Sequence, residues 1–208
     1  MRSSLSIQLN NVGKQFYQRW LFQGLTVSLH QGDRLALIGT NGSGKSTLLR
    51  IIAGQLSPTV GTVFFFSSGQ KVPADQRYHH IAWSAPYISV FPELSFREQI
   101  RLQLTFQKFL IPEHEMIRLL ELDKDADKPL RYFSSGMLQR AKVGLALFAD
   151  SRLLLLDEPT SNMDQYHGDL TMDLIRHHLD DRILILASNL SREYGEIPRQ
   201  IHLGIKEA

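Results

Sequence analysis

The polar and apolar positions of this chain fall into two kinds of stretch. Leu5-Ser6-Ile7-Gln8-Leu9 and Leu25-Thr26-Val27-Ser28-Leu29 alternate, as half-buried strands do. Gly61-Thr62-Val63-Phe64-Phe65-Phe66 predicts a further strand. By contrast, Leu35-Ala36-Leu37-Ile38, Leu153-Leu154-Leu155-Leu156 and Ile183-Leu184-Ile185-Leu186-Ala187 are apolar at every position. Strands of that kind are covered on both faces and belong to a parallel sheet. His80-Ile81-Ala82-Trp83-Ser84 reads as a core strand and Ile201-His202-Leu203 as a last one.

Helical patterns lie between these runs. Leu48-Leu49-Arg50-Ile51-Ile52-Ala53 is expected to be helical and to stop at Gly54. Ser95 with Glu98 has the form of a capping box, with Leu94 as a staple residue, and predicts a helix over 96–108. A second helix is expected from Pro112, near its first position, to Leu120. Leu138, Ala141, Leu145 and Phe148 predict one buried stripe, and a helix from Asp164 to about Leu179 follows. The expected fold is therefore α/β: a mainly parallel sheet with helices on both faces, preceded by an antiparallel β layer. No strand is predicted between about 87 and 132, which reads as a helical lobe. A single domain over 1–208 is expected, with 1–86 and 133–208 forming the core and β layer.

Composition narrows this little. The chain has 208 residues, a formal net charge of +2 and no cysteine. Near-balanced charge gives no argument for nucleic acid. Without cysteine there is no disulfide, thiolate metal site or thiol nucleophile, which fits a reducing compartment. Met1–Ser6 has no apolar core of signal-peptide length, and no apolar run approaches a bilayer span. None of the histidines has a convincing metal spacing: the adjacent pairs His79-His80 and His177-His178 point different ways on a strand or helix.

The chemistry centres on Gly39-Thr40-Asn41-Gly42-Ser43-Gly44-Lys45-Ser46-Thr47, which lies between a predicted strand and a predicted helix. That context suits the phosphate-binding pattern G-x-x-x-x-G-K-[ST]. The glycines let the backbone curl with its N–H groups inward, and the helix N-terminus adds unpaired donors. Lys45 supplies a point charge for the β- and γ-phosphates and Ser46 an oxygen for Mg²⁺. Downstream, Asp157 and Glu158 end a buried strand, at the edge where α/β ligand sites lie. Asp157 suits Mg²⁺, and Glu158 suits accepting a proton from an attacking water.

With Gly39–Thr47, Phe133–Arg140, Leu153–Thr160 and Ser161-Asn162-Met163-Asp164 in order, the chain resembles the ATP-binding subunits of ABC transporters from about Leu5 to Leu203. The resemblance implies a P-loop NTPase with a RecA-like core and a helical subdomain. Gly39–Ser46 resembles the Walker A loop, Leu153–Thr160 Walker B, Ser161–Asp164 the D-loop and Phe133–Met137 the signature. It further implies a head-to-tail homodimer, in which Ser134, Ser135 and Gly136 of one copy meet the ATP held by the other. Phe16 falls where such proteins keep an aromatic for adenine, with Tyr17 and Trp20 as fallbacks.

Three departures qualify the resemblance. The signature has Phe133, Ser135 and Met137 where leucine, glycine and glutamine are usual. Pro86 stands at the expected glutamine of the Q-loop, and proline offers neither a side-chain amide nor an N–H. Asn189 replaces the histidine after the last buried strand; it donates to phosphate but carries no proton near neutral pH. Slow but real ATP hydrolysis is expected, with Glu158 and Lys45 as catalytic residues. The expected setting is the cytoplasmic face of the cell membrane, with an integral-membrane partner of exporter type docking at Pro86–Glu93, and no nucleic acid. The alternatives are a soluble ABC ATPase acting on nucleic acid or ribosomes, and a nearly inactive ATP-binding switch.

Overall fold

A computed structural model describes residues 4–204; the expected domain limits 1 and 208 lie outside them. The elements in chain order are β1 (Leu5–Phe16), β2 (Arg19–His30), β3 (Arg34–Ile38), α1 (Lys45–Ile52), β4 (Val60–Ser67), β5 (Gln70–Lys71), β6 (Ile81–Ser84), α2 (Phe96–Leu104), α3 (Glu113–Leu119), α4 (Ser135–Leu147), β7 (Leu153–Asp157), α5 (Gln165–His178), β8 (Ile183–Ser188), α6 (Ser191–Tyr194) and β9 (Arg199–His202). They group into two compact units. Within the described residues, the first comprises the chain up to Ile81, Ser151–Asp157 and the chain from Asp181; the second comprises Ala82–Asp150 and Glu158–Asp180.

The first unit holds two sheets. The antiparallel layer has the order β2-β1-β4-β5. Leu5, Ile7 and Leu9 bury one face of β1 while Ser6 and Gln8 stay half-buried, which is the alternation read from the sequence. Both leading strands run longer than expected. The pairing continues to Phe16↔Arg19, so the aromatic stretch around Tyr17 is a hairpin rather than a connection between separate strands. Tyr17 turns the chain with φ 53 and is fully exposed.

The second sheet places β7, β8, β3 and β9 side by side, all parallel. β7 and β8 are buried at every residue. Their pairing aligns the carboxyl ends: Ile38 lies opposite Ser188, and Asp157 opposite Ala187. The loop after β3, the turn after β8 and the tip of β7 therefore share one sheet edge. β9 begins two residues earlier than the sequence predicts, because its exposed Arg199 and Gln200 break the apolar pattern.

In the second unit, the capping box of α2 is present. Ser95 Oγ accepts from the Glu98 N–H at 3.3 Å, and the Ser95 N–H donates to Glu98 Oε2 at 2.8 Å. The helix stops at Leu104, not 108, because Leu104 and Phe106 are exposed and nothing after Ile100 continues the buried stripe. Pro112 is the N-cap of α3 rather than its first helical residue. Arg97 links the two helices, bonding Glu113 and Asp127 at 2.9 Å each. The expected single stripe on α4 is corrected: Leu138 is only half-buried, and the helix is buried nearly all round from Gln139 to Leu147. Small residues permit this, for a Cβ on Gly144 would stand 2.2 Å from Leu120 Cδ1.

The cap gives a stability prediction. Replacing Ser95 with alanine removes the acceptor for the Glu98 N–H and lowers the unfolding free energy by about 1 kcal/mol. Urea denaturation checks it; an unchanged midpoint would show the box contributes nothing.

Candidate functional site

The glycines and the lysine of the loop 39–47 each have a local reason to be where they are. Gly39, Gly42 and Gly44 have φ of 156, 80 and 103°, values that disfavour side chains. Gly39 also lies in close quarters, since a Cβ there would be 2.5 Å from the Leu203 carbonyl and from Ser43 Oγ. Gly44 is the N-cap of α1 and no side chain hydrogen-bonds the helix end, so the first N–H groups of α1 are left for a ligand. Lys45 is only 5% exposed, and its ammonium donates to the carbonyls of Gly39 (2.9 Å) and Thr40 (3.2 Å). The charge is thus held inside the loop's own curve. Ser43 Oγ is buried with no hydrogen-bond partner among the described residues.

At the same sheet edge, Asp157 is 2% exposed. Asn189 follows β8 and donates from Nδ2 to Asn41 Oδ1 at 3.1 Å, tying that turn to the loop. A buried carboxylate, the hydroxyls of Ser46 and Thr47, an inward ammonium and backbone donors suit a magnesium polyphosphate. Soft metal ions have no thiolate here, and no cluster of three or more His, Asp or Glu is present among the described residues.

A cavity of about 520 Å³ opens on the loop, and Gln18, Arg19, Trp20, Gly42 and Ser43 are among its lining residues. The structure therefore brings the fallback aromatic Trp20 to the loop. Phe16, the first choice, does not line this cavity; it is 44% exposed and lies 5.0 Å from the Lys14 ammonium. Tyr17 points outward. Arg19 was missed by sequence reasoning, because only the hairpin register reveals which side it faces.

In the second unit, Glu158 is half-buried and has φ 47, and Asn162 has φ 62. Left-handed backbone costs most residues with a side chain roughly 1–2 kcal/mol, so the turn 158–162 carries strain at Glu158, while asparagine tolerates that conformation better at its other end. Ser134 caps α4, its Oγ accepting from the Met137 N–H at 3.2 Å, with Ser135 exposed and Gly136 half-buried. Asp164 caps α5. The His167 backbone N–H bonds it at 2.9 Å and the His167 ring at 2.7 Å, which holds its carboxyl below the ordinary value. Pro86 is exposed, and its carbonyl accepts from the Lys142 ammonium at 2.9 Å. Ser84, near the same position, is buried with its Oγ unpartnered among the described residues. Within the loop expected to dock the membrane partner, Tyr87 and Phe91 are exposed, whereas Ile88 and Val90 are half-buried. No described helix is long and apolar enough to cross a membrane.

Comparison with known proteins agrees with this architecture. A dimeric ATP-binding cassette in a post-hydrolysis state with ADP and Pi superposes with TM-score 0.80 at 22% identity, covering 95% of this chain and 94% of that one. A bacterial Atm1-family ABC exporter with ATP bound gives TM-score 0.80 at 19% identity, with 98% of this chain and 38% of that one covered. In sequence, the chain is 29% identical to the sulfate/thiosulfate import ATP-binding protein CysA of Pectobacterium atrosepticum, over 92% of this chain and 66% of that protein. It is 35% identical to the sn-glycerol-3-phosphate import ATP-binding protein UgpC of Paracoccus denitrificans, over 76% of this chain and 46% of that protein. It is 29% identical to the phospholipid-transporting ATPase ABCA3 of Mus musculus, over 81% of this chain and 10% of that protein. The chain thus spans two thirds or less of the length of these curated relatives. The family model described as ABC transporter matches residues 22–161, from within β2 to the turn after Glu158, and this chain belongs to that family of ATPases as its nucleotide-binding domain.

Proposed function

We propose that this chain binds MgATP in the loop 39–47 and hydrolyses it, as one of two head-to-tail copies, to drive a separate membrane subunit. The observation that carries the reading is the buried Lys45 ammonium, curled inside a loop of left-handed glycines at the sheet edge that also ends in Asp157.

The backbone N–H groups of Gly39 to Thr47 and the ammonium of Lys45 hold the phosphates. Trp20 or Phe16 lies against the base. The magnesium ion that accompanies the nucleotide supplies charge neutralisation, and Ser46 and Asp157 are the residues that would hold it. Water attacks the γ-phosphorus, the bond to the bridging oxygen breaks and ADP leaves, while the Glu158 carboxylate accepts the water's proton. Ser134, Ser135 and Gly136 contribute to the nucleotide of the facing copy.

Two observations favour slow turnover. Pro86 brings no side-chain amide, and the Asn189 amide donates to Asn41 and carries no titratable proton near neutral pH. The exposure of Tyr87 and Phe91 supports the loop 86–93 as the surface offered to the membrane subunit, at the cytoplasmic face. The signature Phe133–Met137 and the loop Phe91-Pro92-Glu93-Leu94 favour an exporter-type partner. Relatives named for import and an exporter structure both match, so the co-purified membrane chain decides the direction.

The expected result is slow, saturable release of phosphate from MgATP by the purified chain. Nucleotide binding without release would favour the switch reading, and neither binding nor release would end the proposal.

A further inference from the structure

Gln139 lies two residues beyond the signature stretch and plays no part in the reading above. It is 3% exposed, on the first turns of α4. Its amide Nε2 donates to two carbonyls at once, those of Glu158 and Pro159, each at 3.3 Å. These are the opening residues of the turn 158–162, whose ends Glu158 and Asn162 both have left-handed φ. The Glu158 carbonyl also accepts from the Ser161 N–H at 3.1 Å. A third contact comes from the same helix: a Cβ on Gly136 would stand 3.0 Å from the Asn162 carbonyl, so the helix start and the end of the turn pack closely enough that a larger residue would press on that carbonyl. Strained backbone of this kind persists where surrounding groups over-determine it. Here the over-determining groups are Gln139 at one end of the turn and Gly136 at the other.

We propose that Gln139 is a positioning residue for catalysis: its buried amide pins the backbone of Glu158 and Pro159 to α4 and so fixes where the Glu158 carboxylate stands. The inference rests on the reading that Glu158 takes the proton from water. It gives the signature helix a task inside its own chain, separate from any contact with the facing copy. Only an N–H donor of this length does the work. Methionine matches the length and has no donor, while a glutamate carboxylate turns acceptor oxygens toward two carbonyls that are themselves acceptors.

The test uses Gln139→Met and Gln139→Glu in the full chain, with MgATP turnover, nucleotide titration and amide exchange of residues 158–163. Both variants are expected to lose about tenfold or more in kcat, the scale of a supporting hydrogen bond to a catalytic group, with KM and nucleotide affinity within about twofold. In Gln139→Glu the loss shrinks as pH falls, because the protonated carboxyl again donates; in Gln139→Met it does not. Exchange at Ser161 is expected to quicken in Gln139→Met while the body of α4 stays protected. Wild-type kcat in Gln139→Met overturns the proposal, as does unchanged exchange across 158–163. If the native chain shows no turnover, the hydrolysis reading fails by itself, and the exchange measurement still decides whether Gln139 holds the turn.

Discussion

Lys45→Ala should leave a folded chain that no longer retains MgATP at concentrations saturating the native protein, with turnover reduced by about 10²–10³-fold, the usual cost of removing one preorganised donor from developing charge. The size of the effect follows from the placement of the side chain. Its ammonium is buried and already aimed inward by the Gly39 and Thr40 carbonyls, so little ordering is left for the moment of binding. Alanine removes the charge and also leaves those two carbonyls without their donor, which loosens the curl that aligns the loop N–H groups. Lys45→Met keeps the length and apolar stem without charge and should bind nearly as poorly, which separates electrostatics from loop shape. Trp20 lines the cavity beside Gly42 and Ser43, so quenching of its fluorescence is a direct reporter of occupancy. A Lys45→Ala protein that titrates like the native one would refute the loop as the phosphate site.

The loop could be read from sequence because each residue type there answers a local demand: glycine for left-handed φ, lysine for charge, a hydroxyl after it. β3, β7 and β8 are equally legible, being buried along nearly their whole length and so apolar at almost every position. What escaped was set by contacts between residues distant in the chain. Trp20 and Phe16 are both aromatic in one hairpin, and only the register of β1 on β2 brings one to the cavity and leaves the other outside it. Gln139 looks like a polar position on an amphipathic helix, yet its partners are about twenty residues downstream. The end of α2 was misplaced for a related reason. Gln103, Leu104 and Gln107 continue a plausible helical pattern, but Leu104 and Phe106 stay exposed, and without burial a short helix has little to extend it. The all-round burial of α4 depends on Gly144 admitting Leu120, a pairing no periodicity reveals.

Glu158→Gln should bind MgATP as the native chain does and hydrolyse it about 10²–10⁴-fold more slowly, the range a positioned general base supplies. Glutamine keeps the shape and length of the side chain and lacks only the ability to take a proton, so a normal affinity with a depressed kcat assigns the loss to the chemical step. If two copies close around nucleotide, the slowed variant should accumulate as a MgATP-dependent dimer, visible by light scattering and reversed by adding Lys45→Ala. Backbone conformation supplies a second arm. Glu158 holds φ 47, which glycine adopts without penalty, so Glu158→Gly should be no less stable than wild type to urea while being as inactive as Glu158→Gln. That outcome would show a strained turn kept for the carboxylate it carries, at the expense of stability. Wild-type turnover in Glu158→Gln would remove the proton acceptor from this position, and the left-handed φ would then have to be explained by the turn's fit against Gly136 and Gln139 alone.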